Sequence, residues 1–320
     1  MFTFFNLNLQ IMRIKTLFTF ILLSSIFINY KSLAQESDSL KPHYDSINWR
    51  VKMNTGFLFN QASFNSRWTG GGVNSLGLGT FFYYKANYKK DRRTWDTNIE
   101  LQYGFTDTEG IGFRKANDRL FIDTKYGYSF NDKWSVYGAL NILTQFAKGF
   151  EFSEDPNTGE ETAVLISKFM APGYITTSFG IEYDPTDYFF VRLSPFAPRW
   201  TIVTDDELYL TAGTNYGVPI GETVRTEWVS AQLMAEFNKE VFENVNLQWR
   251  YTAYWNMEQP LNETDQRLDI TIAANVNDWL STSLGANLLY DKDQIDGLQI
   301  AQAFNLGVSY KFQNYRKKDK

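Results

Sequence analysis

From Ile47 to Phe312 the chain is written in period two. In one segment Leu76, Leu78, Thr80, Phe82, Tyr84, Ala86 and Tyr88 fall on one side, with Gly77, Gly79, Phe81, Tyr83, Lys85, Asn87 and Lys89 on the other. The next sets Trp95, Ile99, Leu101, Tyr103 and Phe105 against Asp96, Asn98, Glu100, Gln102 and Gly104. Later, Val245, Leu247, Trp249, Tyr251 and Trp255 oppose Asn246, Gln248, Arg250 and Asn256. Successive side chains of a strand point to opposite faces, so each segment reads as a two-faced strand. About twelve such segments are predicted, at 47–64, 75–89, 93–106, 113–130, 134–152, 165–183, 188–203, 223–239, 244–257, 266–277, 280–290 and 298–312.

The connections alternate in length. Lys89–Arg92, Asn131–Lys133, Asp184–Asp187, Glu240–Glu243 and Asn277–Asp278 are short, whereas 65–74, 107–112, 153–164, 204–222, 258–265 and 291–297 are longer. Bacterial outer-membrane barrels have an even strand number, short periplasmic turns and long outer loops. Aromatic content is 17%, yet mean hydropathy is −0.35. That combination suits a barrel with an apolar exterior and a wet interior. Trp49, Trp134, Trp255, Trp279 and Tyr310 stand at strand ends, where interfacial girdles lie. The expected fold is therefore an all-β, transmembrane antiparallel β-barrel of about twelve strands. A secreted sandwich has the same period, but gives no reason for short and long connections to alternate.

The N-terminus reads as a cleavable signal peptide, residues 1–34. Met12–Lys15 is a basic start, "TLFTFILLSSIFI" (16–28) an apolar run, and Ser32–Ala34 a small-x-small end. Met12 reads as a natural start, with residues 1–11 expected to be an over-called extension. A polar lead-in follows at 35–46, then the barrel at 47–313 and a basic tail at 314–320. Export places the barrel in the outer membrane of a Gram-negative bacterium. Its expected partners are outer-membrane lipid, periplasmic chaperones and the barrel-assembly machinery.

The glycine-rich stretch "WTGGGVNSLGLG" (68–79) tests for a phosphate loop. Such a loop feeds a helix N-terminus. Here a period-two strand follows, and no Gly-Lys-Ser/Thr closes the motif. Trp68, Gly70, Gly71, Gly72 and Asn74 are instead read as an outer-turn motif. Gly77 and Gly79 are expected to face inward and relieve crowding. No cofactor is implied.

Several motifs recur in order along the chain: "RWTGGGVNS" (67–75), "TQFAKGF" (144–150), "SKFMAPGYITTSFGIEY" (167–183), "LSPFAPRWTIV" (193–203), "TNYGV" (214–218), "ENVNLQWR" (243–250) and "LLYDKD" (288–293). In them the chain resembles a Bacteroidota family of outer-membrane β-barrels catalogued only as a domain of unknown function. The resemblance implies fold and location, and no activity or functional residue.

Other classes find little support. Net charge is −5, from 31 basic and 36 acidic residues, which offers no footprint for nucleic acid. There is no Cys, and the one His, His43, precedes every strand. A histidine-based hydrolase therefore lacks its base, and the chain is not expected to be an enzyme. Asp205, Asp206 and Glu207 form a weak candidate for a cation site, with solvated surface as the plainer reading.

The candidates for function are the charges expected to face the lumen: Glu100, Asp123, Lys125, Glu182, Arg192, Arg250 and Asp269. Either they line a path or they pair across strands and plug it. Mixed signs favour pairing, and Arg250 with Asp269, and Glu100 with Lys125, are the expected pairs. Pro195 and Pro198 mark a bulge or a lateral opening in the seventh strand, and a further bulge is expected in the eighth. The leading function is passage of small molecules or ions across the outer membrane. The alternative is a non-conducting structural or adhesion barrel acting through loops 153–164 and 204–222.

Overall fold

A computed structural model describes residues 42, 46–64, 73–154, 161–205, 207–212 and 215–316. The expected signal peptide, His43, Trp68, Gly70, Gly71, Gly72 and Asp206 lie outside the described residues, as do most of the lead-in and tail. The chain divides into two units. One is Met1–Ile47 with Asn314–Lys320, in which the Arg316 N–H donates to the Pro42 carbonyl. The other, Asn48–Gln313, carries every element described below.

That second unit is a barrel. Its strands are β1 (Trp49–Ala62), β2 (Ser75–Lys90), β3 (Arg93–Thr108), β4 (Gly112–Ser129), β5 (Trp134–Thr144), β6 (Gly149–Glu154), β7 (Glu161–Ser167) and β8 (Gly173–Thr186). They continue as β9 (Phe189–Phe196), β10 (Arg199–Ile202), β11 (Val224–Glu227), β12 (Ser230–Phe242), β13 (Val245–Asn256), β14 (Asp265–Asn275), β15 (Leu280–Asp291) and β16 (Ile295–Gln313). Twelve close a ring: β1, β2, β3, β4, β5, β8, β9, β12, β13, β14, β15, β16 and back to β1, every pair antiparallel. Closure leaves no unpaired edge, the condition for strands to cross a membrane. Among the described residues no helix is long and apolar enough to cross one.

The alternation of connections is present. Asp91–Arg92, Asp187–Tyr188 and Glu243–Asn244 make two-residue turns at one end. Asp91 and Asn244 take positive φ there, 54° and 62°, which short polar residues tolerate in tight turns. At the other end, two connections expected to be longer, 109–111 and 292–294, have only three residues, because their strands run further out. The fifth and sixth strands are shorter than their periodicity predicts. Residues 149–154 and 161–167 leave the barrel sheet and pair with each other as β6 and β7. Alternation alone cannot distinguish a barrel strand from a hairpin standing above it.

The exterior is apolar around the ring. Phe57 (72% exposed) and Phe304 (64%) are joined by Trp95, Val136, Phe179, Leu193, Ile272 and Leu284. Water would oppose such a belt and lipid favours it. Towards the short-turn end, aromatic rings pair across strands: Trp49 with Tyr88 (5.1 Å), Trp95 with Tyr126 (6.3 Å), Trp134 with Tyr183 (4.6 Å) and Phe237 with Trp249 (6.0 Å). They form an interfacial girdle.

The proline strand is bulged. Phe179 faces Phe196 whereas Ile181 faces Leu193, so β9 carries one extra residue beside Pro195. Its neighbour breaks at the same level, at Trp228–Val229 between β11 and β12, which turns both Glu227 and Ser230 to the buried side. Ala197, Ser194 and Ser230 are at most 1% exposed there, so the wall is packed at this point. Gly180 sits against the bulge: a Cβ on it would stand 1.9 Å from the Leu193 carbonyl oxygen. Gly180→Val is expected to lower stability by at least about 2 kcal/mol through overpacking. Gly285→Ala, whose Cβ would meet nothing nearer than 4.0 Å, should be near neutral. The midpoint of heat-modifiable gel migration measures both. Crowding does not explain Gly77 and Gly79, where a Cβ would meet nothing closer than 3.4 Å.

Candidate functional site

The inner face identifies itself by ion pairs between strands that are not neighbours. Arg250 on β13 reaches Glu100 on β3 at 2.7 Å. Arg119 on β4 reaches Asp269 on β14 at 2.9 Å. In a ring of twelve, both pairs join strands six places apart, so they span the lumen from wall to wall. Arg119 also lies 3.6 Å from Glu100, which links the two bridges. The Phe121 ring lies beneath both guanidinium groups, at 4.7 Å from Arg250 and 5.0 Å from Arg119.

These bridges divide the lumen into two lobes. The lobe walled by β4, β5, β8, β9, β12 and β13 is packed. Asp123, Lys125, Glu182, Arg192, Met234, Glu236 and Arg250 are all under 9% exposed. Arg192 donates from Nε to Glu182 (2.8 Å) and from Nη1 to Asp123 (3.0 Å), over the Phe190 ring. Lys125 joins Glu182 to Asp96, the latter at 3.0 Å. Arg250 holds Glu236 through Nε and Nη2 at 2.9 and 2.8 Å. Cation and carboxylate satisfy each other here, as burial of charge requires.

The lobe walled by β14, β15, β16, β1, β2 and β3 is different. Register places Thr271, Asn287, Ala301 and Ala303 on the same face as Asp269, yet all four are exposed. Their neighbours on that face include Gly285, Asn305 and Gly79. Around these four the wall carries small and uncharged polar side chains, with Leu58 beside Gly79 and Gly307. The Phe81 ring does not block this lobe, because it folds onto the wall at Gly56, its Cζ only 3.0 Å from where a Cβ there would stand.

All seven charges expected in the lumen belong to this network. The expected pairs do not form: Arg250 and Asp269 are register partners, but their side chains take Glu100 and Glu236, and Arg119 and Arg267. Glu100 and Lys125 likewise find other partners. The sequence reading omitted Asp96, Arg119, Glu236 and Arg267. Alternation with Phe121 and Asp123 exposes Arg119, whereas the break at Trp228–Val229 conceals Glu236.

A second tier crosses the outer end. Arg199 meets Asp265 and Arg225 meets Asp293, and Gln294 donates to the Tyr174 hydroxyl at 3.1 Å. Above it, the 145–172 and 203–223 connections, the latter holding α1 (Leu208–Ala212), bury Ala171, Val203, Leu208, Tyr216 and Val218 together. Tyr216 donates to the Ile166 carbonyl at 2.6 Å. Burial, with the nearby Asp291 carboxylate, pushes its hydroxyl up to about 12, so it remains a donor at physiological pH.

Of the candidate cation site, Asp206 lies outside the described residues. Asp205 pairs with Lys168 at 2.8 Å, whose hydrogen bond holds the carboxyl below its usual range, and accepts the Glu207 N–H at 3.1 Å. Among the described residues no cluster of three acidic, His or Cys side chains could hold a metal. Asn74 ties two outer connections together, accepting from the Phe64 N–H and donating to Glu109.

A family model described as "Protein of unknown function (DUF3078)" matches residues 59–150. No curated protein matches the chain. Among solved structures it is similar to an outer membrane channel from Pseudomonas putida F1, at 11% identity and TM-score 0.36, covering 83% of this chain and 96% of that one. It is also similar to the translocator domain of the autotransporter NalP from Neisseria meningitidis, at 10% identity and TM-score 0.35, covering 84% and 90%. A third is KdgM porin, at 8% identity and TM-score 0.29, covering 81% and 99%.

Proposed function

We propose that the chain is a barrel of the Gram-negative outer membrane that passes small polar solutes or ions, and that it is not an enzyme. The route is the open lobe beside the cross-lumen bridges. One observation carries this reading: Thr271, Asn287, Ala301 and Ala303, which face inward on β14, β15 and β16, are exposed, while Asp123, Lys125, Glu182, Arg192 and Glu236 of the other lobe are buried. The location is supported by the closed ring, its apolar belt and its aromatic girdle. A cleavable signal peptide, a Bacteroidota source and handling by chaperones and the barrel-assembly machinery belong to the same reading.

A non-conducting adhesion barrel is the second reading, favoured by the buried core that joins the 145–172 and 203–223 connections. Planar-bilayer recording separates the two. Protein extracted from the outer membrane of an expressing host, and shown folded by heat-modifiable migration, is expected to give discrete conductance steps. Persistent silence from folded protein would reject passage and leave the outer cap as the working surface.

A further inference from the structure

Three glycines of the open lobe are not required by the wall that holds them. Gly77 and Gly79 on β2 and Gly285 on β15 face inward from strand interiors, where glycine weakens a strand. None has the positive φ that disfavours other residues. A Cβ would meet nothing nearer than 3.4 Å at Gly77 and Gly79, or 4.0 Å at Gly285, so the wall has room for side chains. A strand glycine that neither conformation nor packing demands marks a place where a ligand approaches the backbone. The positions around all three are uncharged. Register joins Ser281, Gly307, Leu58, Gly79 and Gly104 in one row across β15, β16, β1, β2 and β3. Leu58 spreads over its flanking glycines, its methyl carbons 3.6 Å and 3.0 Å from where Cβ atoms on Gly79 and Gly307 would stand. The next row sets Asn60 and Thr106 on either side of Gly77, and Gly285 lies between Thr271 and Ala303. Charge begins at the margins, where Arg267 pairs with Asp269 at 3.0 Å and Lys85 stands further towards the short-turn end.

We propose that Gly77, Gly79 and Gly285 keep clear a recess in the open lobe that takes small, uncharged, polyhydroxylated solutes of the monosaccharide class. This rests on the passage reading and names its substrate class. The amides and hydroxyls around the recess both donate and accept, as sugar hydroxyls do. Leu58 gives the C–H face of a sugar ring an apolar surface. A charged solute would shed water there with no opposite charge in these rows to replace it.

The test is uptake of labelled solutes into liposomes holding the full protein, shown folded by heat-modifiable migration and compared with protein-free liposomes. Glucose is expected to enter at least about threefold faster than gluconate or glucosamine, which match it in size but carry a charge. Gly79→Leu with Gly285→Leu fills the recess and should slow glucose at least about tenfold, with the unfolding midpoint held or raised. Gly79→Ala with Gly285→Ala should slow it less, and Gly285→Asp should favour glucosamine over gluconate. If the Leu pair does not fold, the Ala pair and the Asp variant decide the location. Charged solutes entering as fast as glucose would overturn the substrate class while sparing passage. Unslowed glucose in the folded Leu pair, or no effect of the Ala pair and the Asp variant, would overturn the recess. Uptake of no solute at all would overturn passage and the recess with it.

Discussion

Arg192→Ala is expected to lower the stability of the folded barrel by about 3–5 kcal/mol, the usual cost of removing one partner from a buried ion pair. Arg192 is 4% exposed and serves two carboxylates of similar burial. They fare differently without it. Glu182 keeps Lys125, whereas Asp123 keeps only the Asn141 amide at 3.5 Å. The loss is therefore mainly an orphaned carboxylate at Asp123. Adding Asp123→Asn to the Ala variant should recover stability, while Asp123→Asn alone should cost some. Arg192→Lys should fall between, since an ammonium keeps the charge but not the fork that meets both acids. Equilibrium unfolding in urea, read by tryptophan fluorescence, measures all four. Losses that simply add would show that Arg192 and Asp123 are not coupled.

The sequence made the strands legible for a local reason. Inside and outside alternate residue by residue, so Leu120, Ile122 and Tyr126 against Asp123 and Lys125 already separate lipid from lumen. Connection lengths told the two ends apart on equally local grounds. Side-chain partners were not legible, because they depend on which walls face one another. Arg250 sits beside Asp269 along the ladder, yet its guanidinium finds Glu100 on the opposite wall. No spacing in the chain records that meeting; closure of the twelfth strand on the first creates it. The outer hairpin failed for a related reason. β6 and β7 alternate like barrel strands, and only their departure from the sheet beyond Thr144 tells them apart. The division of the lumen was likewise hidden. Gly285, Ala301 and Ala303 look unremarkable until Arg119 and Arg250 cross beside them.

Removing both bridges should enlarge the conducting path. The triple variant Arg119→Ala, Arg250→Ala and Glu100→Gln deletes the two cations that span the lumen and neutralises the carboxylate they share. About eight strands enclose only side chains and about sixteen enclose a channel, so a twelve-stranded lumen freed of its bridges has room to widen. Single-channel conductance is expected to rise at least about twofold as the path spreads from one lobe into the centre. Glu236 would lose Arg250, and Asp269 would keep only Arg267 at 3.0 Å. Uncovered acid should therefore shift ion preference towards cations at the same time. Stability should fall too, so folded protein must be selected by heat-modifiable migration before recording. Unchanged conductance and preference in that fraction would mean that ions do not pass beside the bridges. A larger conductance with shifted preference would place the path where the exposed faces of β14, β15 and β16 leave it, with Arg119 and Arg250 as the partition that narrows it.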